Sequence, residues 1–250
     1  MPTIDFNCDL GEGCGSDAAI VPLISSASIA CGGHAGDATS MAEAVDLCQR
    51  HGVAIGAHPS YADRDGFGRH DMDVPADAIA VLVTSQVTAL ADVCHQAGAR
   101  LRHVKPHGAL YNRAARDPAV AIAIASAVHD VDPQLILFGL SDSCLTAAGA
   151  AIGLRVAHEV FAERRYDADG RLAPRGTPGA VIDTQEDALA QVRSLIDDGS
   201  VVARDGTRVH LRADTLCLHG DRPDAAAFAR SLRRALEAAS VDIRAPGSTA

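Results

Sequence analysis

The stretch Leu101–Asn112, LRHVKPHGALYN, decides how the rest of the chain is read. Its first four residues make a short segment of low charge, as in a strand covered on both faces. It runs without a spacer into Lys105-Pro106-His107-Gly108, with Tyr111 and Asn112 just beyond. Chemistry-bearing residues directly after a buried strand are the pattern of parallel α/β proteins, whose sites lie at the carboxyl ends of their strands.

The pattern repeats outward in both directions. Candidate strands are Ile4–Cys8, Ser28–Cys31, Val53–Ala57, Leu101–Val104, Leu135–Phe138, Leu154–Ala157 and Thr215–Leu218. Helix signals fill the gaps. Ser40 with Glu43 makes a capping-box pattern and Gly52 a stop, while Pro75 opens a long helix ending near Gly98. Asp117-Pro118 and Thr184 with Asp187 mark two further starts, and Pro223 begins a last helix to about Ala239. Asp205-Gly206 predicts a small hairpin within Val201–Leu211. Pro59–Val74 and Phe161–Ala180 are long loops of the kind that act as lids or partner surfaces. About seven βα units without a break in composition predict one α/β domain over residues 1–243, with residues 244–250 as a flexible tail. A parallel (β/α) barrel of about seven strands, closed or incomplete, fits this best. An open doubly wound sheet is the alternative, because strand order is not encoded in these signals.

Composition narrows the function classes. The chain is 48% hydrophobic but only 3% aromatic and lacks Trp, so its core is aliphatic. A formal net charge of -10 argues against nucleic acid or an anionic membrane surface as partner. The seven cysteines show no C-x-x-C pair. Cys8, Cys31 and Cys217 sit in apolar runs and read as small hydrophobes in a reduced compartment. With no basic, apolar leader and no apolar stretch of spanning length, the expected location is the cytoplasm.

The strand ends supply the candidate site. The first gives Asn7, Asp9 and Glu12, the second His34 and Asp37, the third His58, and the fourth Lys105, His107, Tyr111 and Asn112. The sixth gives Glu159 and Arg164, and the last His219 and Asp221, while Arg69 lies in the first long loop. Imidazoles and carboxylates are the usual general acids and bases, and lysine or arginine balances an anion or oxyanion. Asp37 also has a plain structural reading as a helix cap. A metal held by side chains from separate strands, such as Asp9, His34 and His58, is a weaker option. His103 and His107, on an extended segment, would lie roughly 13 Å apart and could not share an ion. Walker, G-x-S-x-G and G-x-G-x-x-G patterns are absent from the sequence.

Six strings, NCDLGEG (Asn7–Gly13), IACGGHAGD (Ile29–Asp37), GAHPSYADRDGFGRH (Gly56–His70), HVKPHGALYN (His103–Asn112), EVFAERRY (Glu159–Tyr166) and CLHGD (Cys217–Asp221), together resemble the LamB/YcsF family, described as the A component of 5-oxoprolinase. Ser28, Gly33, His70 and Glu163 depart from that pattern, where Asn, Phe, Arg and Asp are usual. The resemblance implies a barrel similar to the glycoside hydrolase and deacetylase barrels. It implies hydrolysis of 5-oxo-L-proline to L-glutamate with ATP as co-substrate, room for a divalent cation such as Mg, and partner subunits B and C. A homo-oligomer is also compatible with it. On that reading Asp9 or Glu12 activates water, and His34, His58 or His107 moves protons to the ring nitrogen. Lys105 and Arg69 take the phosphate charge, while Asn7, Asp37, Tyr111, Asn112, Glu159, Arg164, His219 and Asp221 hold substrate or phosphate. Two other readings stand beside it: a stand-alone metal-dependent amidase or deacetylase, and a non-catalytic substrate-binding component.

Overall fold

The computed structural model describes residues 2–220, 222 and 224–248. Six strands, β1 (Thr3–Leu10), β2 (Ser26–Ala30), β3 (Ala54–His58), β4 (Leu101–Val104), β5 (Ile136–Leu140) and β6 (Arg155–Phe161), pair in sequence order, all parallel. The chain then leaves the sheet for the antiparallel hairpin of β7 (Ser200–Val202) and β8 (Arg208–His210). It returns as β9 (Thr215–Leu218), which pairs in parallel with both β6 and β1. That double pairing closes a barrel of seven parallel strands among the described residues. The expectation of about seven strands in one α/β domain holds, and closure removes the open-sheet alternative.

Helices wrap the outside: α1 (Asp17–Ile20), α2 (Ala38–His51), α3 (Ala76–Gln96), α4 (Gly108–Arg116), α5 (Pro118–Val131), α6 (Cys144–Ala151), α7 (Gln185–Asp198) and α8 (Ala225–Ala238). The capping box of α2 lies one turn earlier than Ser40 and Glu43 suggest. The Asp37 side chain accepts the Ser40 N–H at 2.9 Å, and Ser40 Oγ accepts the Asp37 N–H at 2.8 Å. Asp117 and Thr184 cap α5 and α7 as read from sequence. Pro223, expected to open the last helix, lies outside the described residues.

One sequence expectation is corrected. Helix α3 has 21 residues and a mean hydropathy of 1.5, so by length and composition it could cross a membrane. In this fold its stripe of Ile79, Val83, Val87, Leu90 and Cys94 is buried, and it packs against α5 and the barrel. The chain after β10 (Asp242–Ile243) also keeps a barrel contact. β10 pairs with the start of β1, and Arg244, placed by sequence in the tail, donates its N–H to Ile4 O at 3.1 Å.

The barrel interior is polar around β1, while Ile136, Phe138 and Ala157 of β5 and β6 form a small apolar cluster of their own. Along β1, Ile4, Phe6, Cys8 and Leu10 join the aliphatic core, whereas Asp5, Asn7 and Asp9 alternate with them and are buried among polar partners. A strand changes face at every residue, so one side of β1 serves the core and the other the site.

Candidate active site

At the floor, Asp5 accepts hydrogen bonds from Ser25 Oγ at 2.6 Å and Thr215 Oγ1 at 2.5 Å. Thr215 Oγ1 accepts in turn from Asn7 Nδ2 at 2.7 Å. Burial pushes the Asp5 carboxyl up to about 6. One layer higher, fully enclosed Lys105 donates to Asn7 Oδ1 at 2.9 Å, Glu159 Oε1 at 3.1 Å and Cys217 Sγ at 3.3 Å. Its Nζ also lies 2.6 Å from Asp9 Oδ1. Burial alone would favour the neutral amine, but Asp9, Cys217 and Glu159 outweigh it and hold Lys105 well above the usual range. Burial likewise works to raise Asp9, and His58 and Lys105 overcome it, keeping the carboxyl well below its ordinary value. Cys217 is therefore a partner of the buried ammonium and more than the small hydrophobe its apolar run suggests.

Above this layer four side chains converge. His34 Nε2 is 2.9 Å from Glu12 Oε1, and His107 Nδ1 is 2.9 Å from His58 Nε2. The His34 and His107 rings stack with centroids 3.7 Å apart. Burial drives the His34 imidazole down to about 4 and His107 well below its ordinary range. The loop between β3 and α3 shapes this cluster. Phe67 adopts φ 54°, a left-handed conformation that costs a bulky residue roughly 1–2 kcal/mol. Its carbonyl accepts from His107 Nε2 at 2.9 Å. The next residue, Gly68 (φ 63°), leaves no space for a side chain: a Cβ there would lie 2.9 Å from both His107 and His34. Ser60 takes His34 Nδ1 at 2.8 Å and is itself held by Gln86.

Beside the cluster opens a cavity of about 270 Å³. Asp9, His58, Lys105, His107, Glu159 and His219 face it from the strand ends. Arg69, Arg116, Arg164, Arg171 and Arg175 line it as well. Arg164 is buried: Nη2 donates to Ala173 O at 2.6 Å, and Nε has no hydrogen-bond partner among the described residues. Both long loops contribute to the lining, the first through Arg69 and Asp71, the second through Arg164, Arg171 and Arg175.

The LamB/YcsF family model matches residues 4–250, almost the whole chain. The chain belongs to the LamB/YcsF family. It is 44% identical to the lactam utilization protein of Thermus thermophilus, with a TM-score of 0.90 over 97% of this chain and 99% of that one. Two distant structures share only the fold with this LamB/YcsF protein. A putative cellobiose-phosphate cleavage protein from Enterococcus faecalis superposes with TM-score 0.60 at 13% identity, covering 97% of this chain and 96% of that one. The catalytic domain of a peptidoglycan N-acetylglucosamine deacetylase from Eubacterium rectale gives 0.53 at 10% identity, covering 99% and 90%.

In this LamB/YcsF chain, most of the residues marked by sequence come together. Asn7, Asp9, Lys105 and Glu159 form the enclosed layer, and Glu12, His34, His58 and His107 the cluster above it. Arg69, Tyr111, Asn112, Arg164 and His219 line the cavity. Asp37 does not join them, because its carboxylate is spent on capping α2. Asp221 lies outside the described residues. Sequence reading missed Asp5, Ser60, Gln86 and Thr215 as site residues, and it marked Glu163 after the sixth strand without giving it a role. Glu163 accepts the His219 N–H at 3.1 Å and also pairs with His219 Nδ1.

Proposed function

We propose that this chain is the A component of a cytoplasmic ATP-dependent 5-oxoprolinase, opening the lactam of 5-oxo-L-proline to L-glutamate with partner subunits B and C. One observation carries the reading: a cavity of about 270 Å³ with a carboxylate, a carboxylate-paired histidine and five arginines, in a chain closely similar to a lactam utilization protein. That volume suits a molecule smaller than typical drug-sized ligands, and the arginines suit an anion.

A five-membered lactam is a stabilised amide that water attacks poorly. Transfer of the ATP γ-phosphoryl group to the amide oxygen makes the ring carbon electrophilic. Water then adds, the C–N bond breaks as the ring nitrogen takes a proton, and a second water releases phosphate. Asp9, ionised beside His58 and Lys105, is positioned to accept a proton from the attacking water. His219 lines the cavity with Nδ1 held by Glu163, which leaves its other nitrogen to serve the departing ring nitrogen. This moves the proton donor away from His34, His58 and His107, whose nitrogens face one another and Glu12. It also moves the anion charge from Lys105, already surrounded by acceptors, to Arg164 and Arg69. Lys105 acts as a positioning residue that keeps Asp9 ionised.

The test is glutamate release from 5-oxo-L-proline by the purified chain, alone and with the two partner subunits, with and without ATP. Release only in the complete, ATP-containing mixture is expected. Chelator-sensitive hydrolysis of simple amides by the chain alone, with no lactam opening in any mixture, would overturn the reading in favour of a stand-alone amidase or deacetylase.

A further inference from the structure

We propose that Glu12, His34, His58 and His107 form a binding site for one zinc-class divalent cation. The hydrogen on each imidazole can be placed from its outer partner. A carbonyl oxygen only accepts, so His58 Nδ1, 2.7 Å from Lys105 O, is an N–H donor. By the same logic His107 Nε2, 2.9 Å from Phe67 O, carries its hydrogen there. Ser60 donates its hydroxyl hydrogen to Tyr61 O at 3.0 Å, so at 2.8 Å it accepts from His34 Nδ1. All three outer nitrogens are occupied by donation. The inner ones, His34 Nε2, His58 Nε2 and His107 Nδ1, present lone pairs to an ion, whose charge then takes the place of an imidazolium at His58, 3.3 Å from Asp9 Oδ2.

Those lone pairs are aimed at one another and at a carboxylate. His58 Nε2 faces His107 Nδ1 at 2.9 Å, and His34 Nε2 faces Glu12 Oε1 at 2.9 Å. Glu12 Oε1 is also 3.5 Å from His107 Nδ1 and 3.9 Å from His58 Nε2. Acceptors turned on acceptors in a buried site repel unless a positive charge sits between them. Two added protons would place two charged imidazoles in the cluster, and the His34 and His107 rings stack face to face at 3.7 Å. A single divalent ion between the four atoms supplies that charge, and binding it requires the stacked His34 and His107 rings, parallel within 5°, to tilt until both ring planes contain the ion. The size fits: bonds of about 2.0–2.1 Å in a tetrahedron put ligand atoms roughly 3.3 Å apart. The four distances given above, from 2.9 to 3.9 Å, bracket that edge.

The donor set also selects the ion. Three imidazoles and one carboxylate suit zinc or a neighbouring first-row metal, whereas magnesium takes oxygen ligands and keeps its water. Outer partners that fix the tautomer of each histidine are typical of built metal sites. A second group, Asp9, Cys217 and His219, brings its ligand atoms within 4.8 Å of one another, but the Lys105 ammonium already lies against Asp9 and Cys217. Asp9, expected from sequence as a ligand, therefore gives way to Glu12 and His107.

Metal binding here does not depend on the identity of the substrate, and its test does not use turnover. The full chain, stripped by chelator dialysis, is titrated with Zn(II) and with Co(II) against a competing chromophoric chelator. One equivalent is expected to bind, and millimolar Mg(II) is expected not to displace it. The bound Co(II) should show the intense visible bands of a four-coordinate site without a thiolate charge-transfer band. His107→Ala and Glu12→Ala should weaken binding by more than the roughly 10–100-fold typical of outer-partner changes, and Ser60→Ala by about that amount. Failure of the wild-type chain to hold an equivalent of either metal would overturn the proposal. So would a thiolate band, which would put the ion at Cys217. Both of these read the unaltered protein, so a variant that fails to fold does not blunt the test.

Discussion

At the residue scale, the site rests on one buried cation and the carboxylates around it. Lys105 is enclosed with Asp9 and Glu159, both buried. Removing one partner of a buried ion pair leaves the other charge without compensation, which costs about 3–5 kcal/mol. Lys105→Met keeps the side-chain bulk and is expected to lower stability by that amount in urea unfolding, with Lys105→Met/Glu159→Gln recovering part of the loss. An unchanged midpoint in the single variant would show that another group balances the two acids. Asp5 makes a separate, pH-dependent case. Burial raises its carboxyl to about 6 in the folded chain against an ordinary value near 3.8. Between these values the folded protein holds a proton that the unfolded chain has released. Stability therefore falls as pH rises from about 4 to 6, by about 3 kcal/mol for this group, and its contribution is flat above. Asp5→Asn cannot titrate and keeps an acceptor for Thr215, so its stability at pH 7 relative to pH 4 should exceed the wild-type difference by about that amount. Parallel profiles for the two proteins would rule out Asp5 as the titrating group.

At the scale of elements, the sequence made the strand ends readable and the strand interiors much less so. Residues that follow a strand are displayed at the barrel mouth, so Glu12, His34, His107 and His219 could be marked from order alone. Asp5, Thr215 and Cys217 lie within strands, where periodicity is usually read as apolar inside and polar outside. In a barrel with helices all round, the apolar face of β1 meets the helices and the polar face lines the interior. TIDFNCDL (Thr3–Leu10) carries that alternation openly, and only knowledge of closure tells which side is which. Ser60, Gln86 and the Phe67 carbonyl were illegible for another reason: they act through contacts between segments remote in sequence. Gln86 belongs to α3, 26 residues from the Ser60 backbone it binds. In the same way Gln191 of α7 donates to the carbonyls of Phe161 and Arg164, both at 2.9 Å, where the chain leaves β6. Asp37, a conspicuous acid after a strand, carried both a site and a helix-cap reading in the sequence, and its position at the start of α2 selects the cap.

At the scale of the whole molecule, closure is what holds the site together. The polar interior needs partners from β1, the residue after β4, β6 and β9 at once: Asn7 and Asp9, Lys105, Glu159, and Thr215 with Cys217. In an open sheet β1 and β9 would be edges, free to fray. Here Asp5 stands opposite Thr215, which also stands opposite Glu159, so the last strand locks the first to the sixth. The excursion between β6 and β9, with α7 and the β7–β8 hairpin, lies outside that ring of pairing. Opening β1 exposes the buried Lys105–Asp9–Glu159 group and breaks pairing on both sides, so no cheap partial opening is available to it. The slowest exchanging amides of β1 and β9 are thus expected to report the global unfolding free energy, equal to those of β4. Amides of the β7–β8 hairpin should exchange through smaller, local openings. Native-state hydrogen exchange across a urea series reads this directly. Should β1 and β9 exchange well below the global limit while β4 stays protected, the ring would be opening at its last-made seam. The enclosed layer would then be held by β4 and β6 and not by closure.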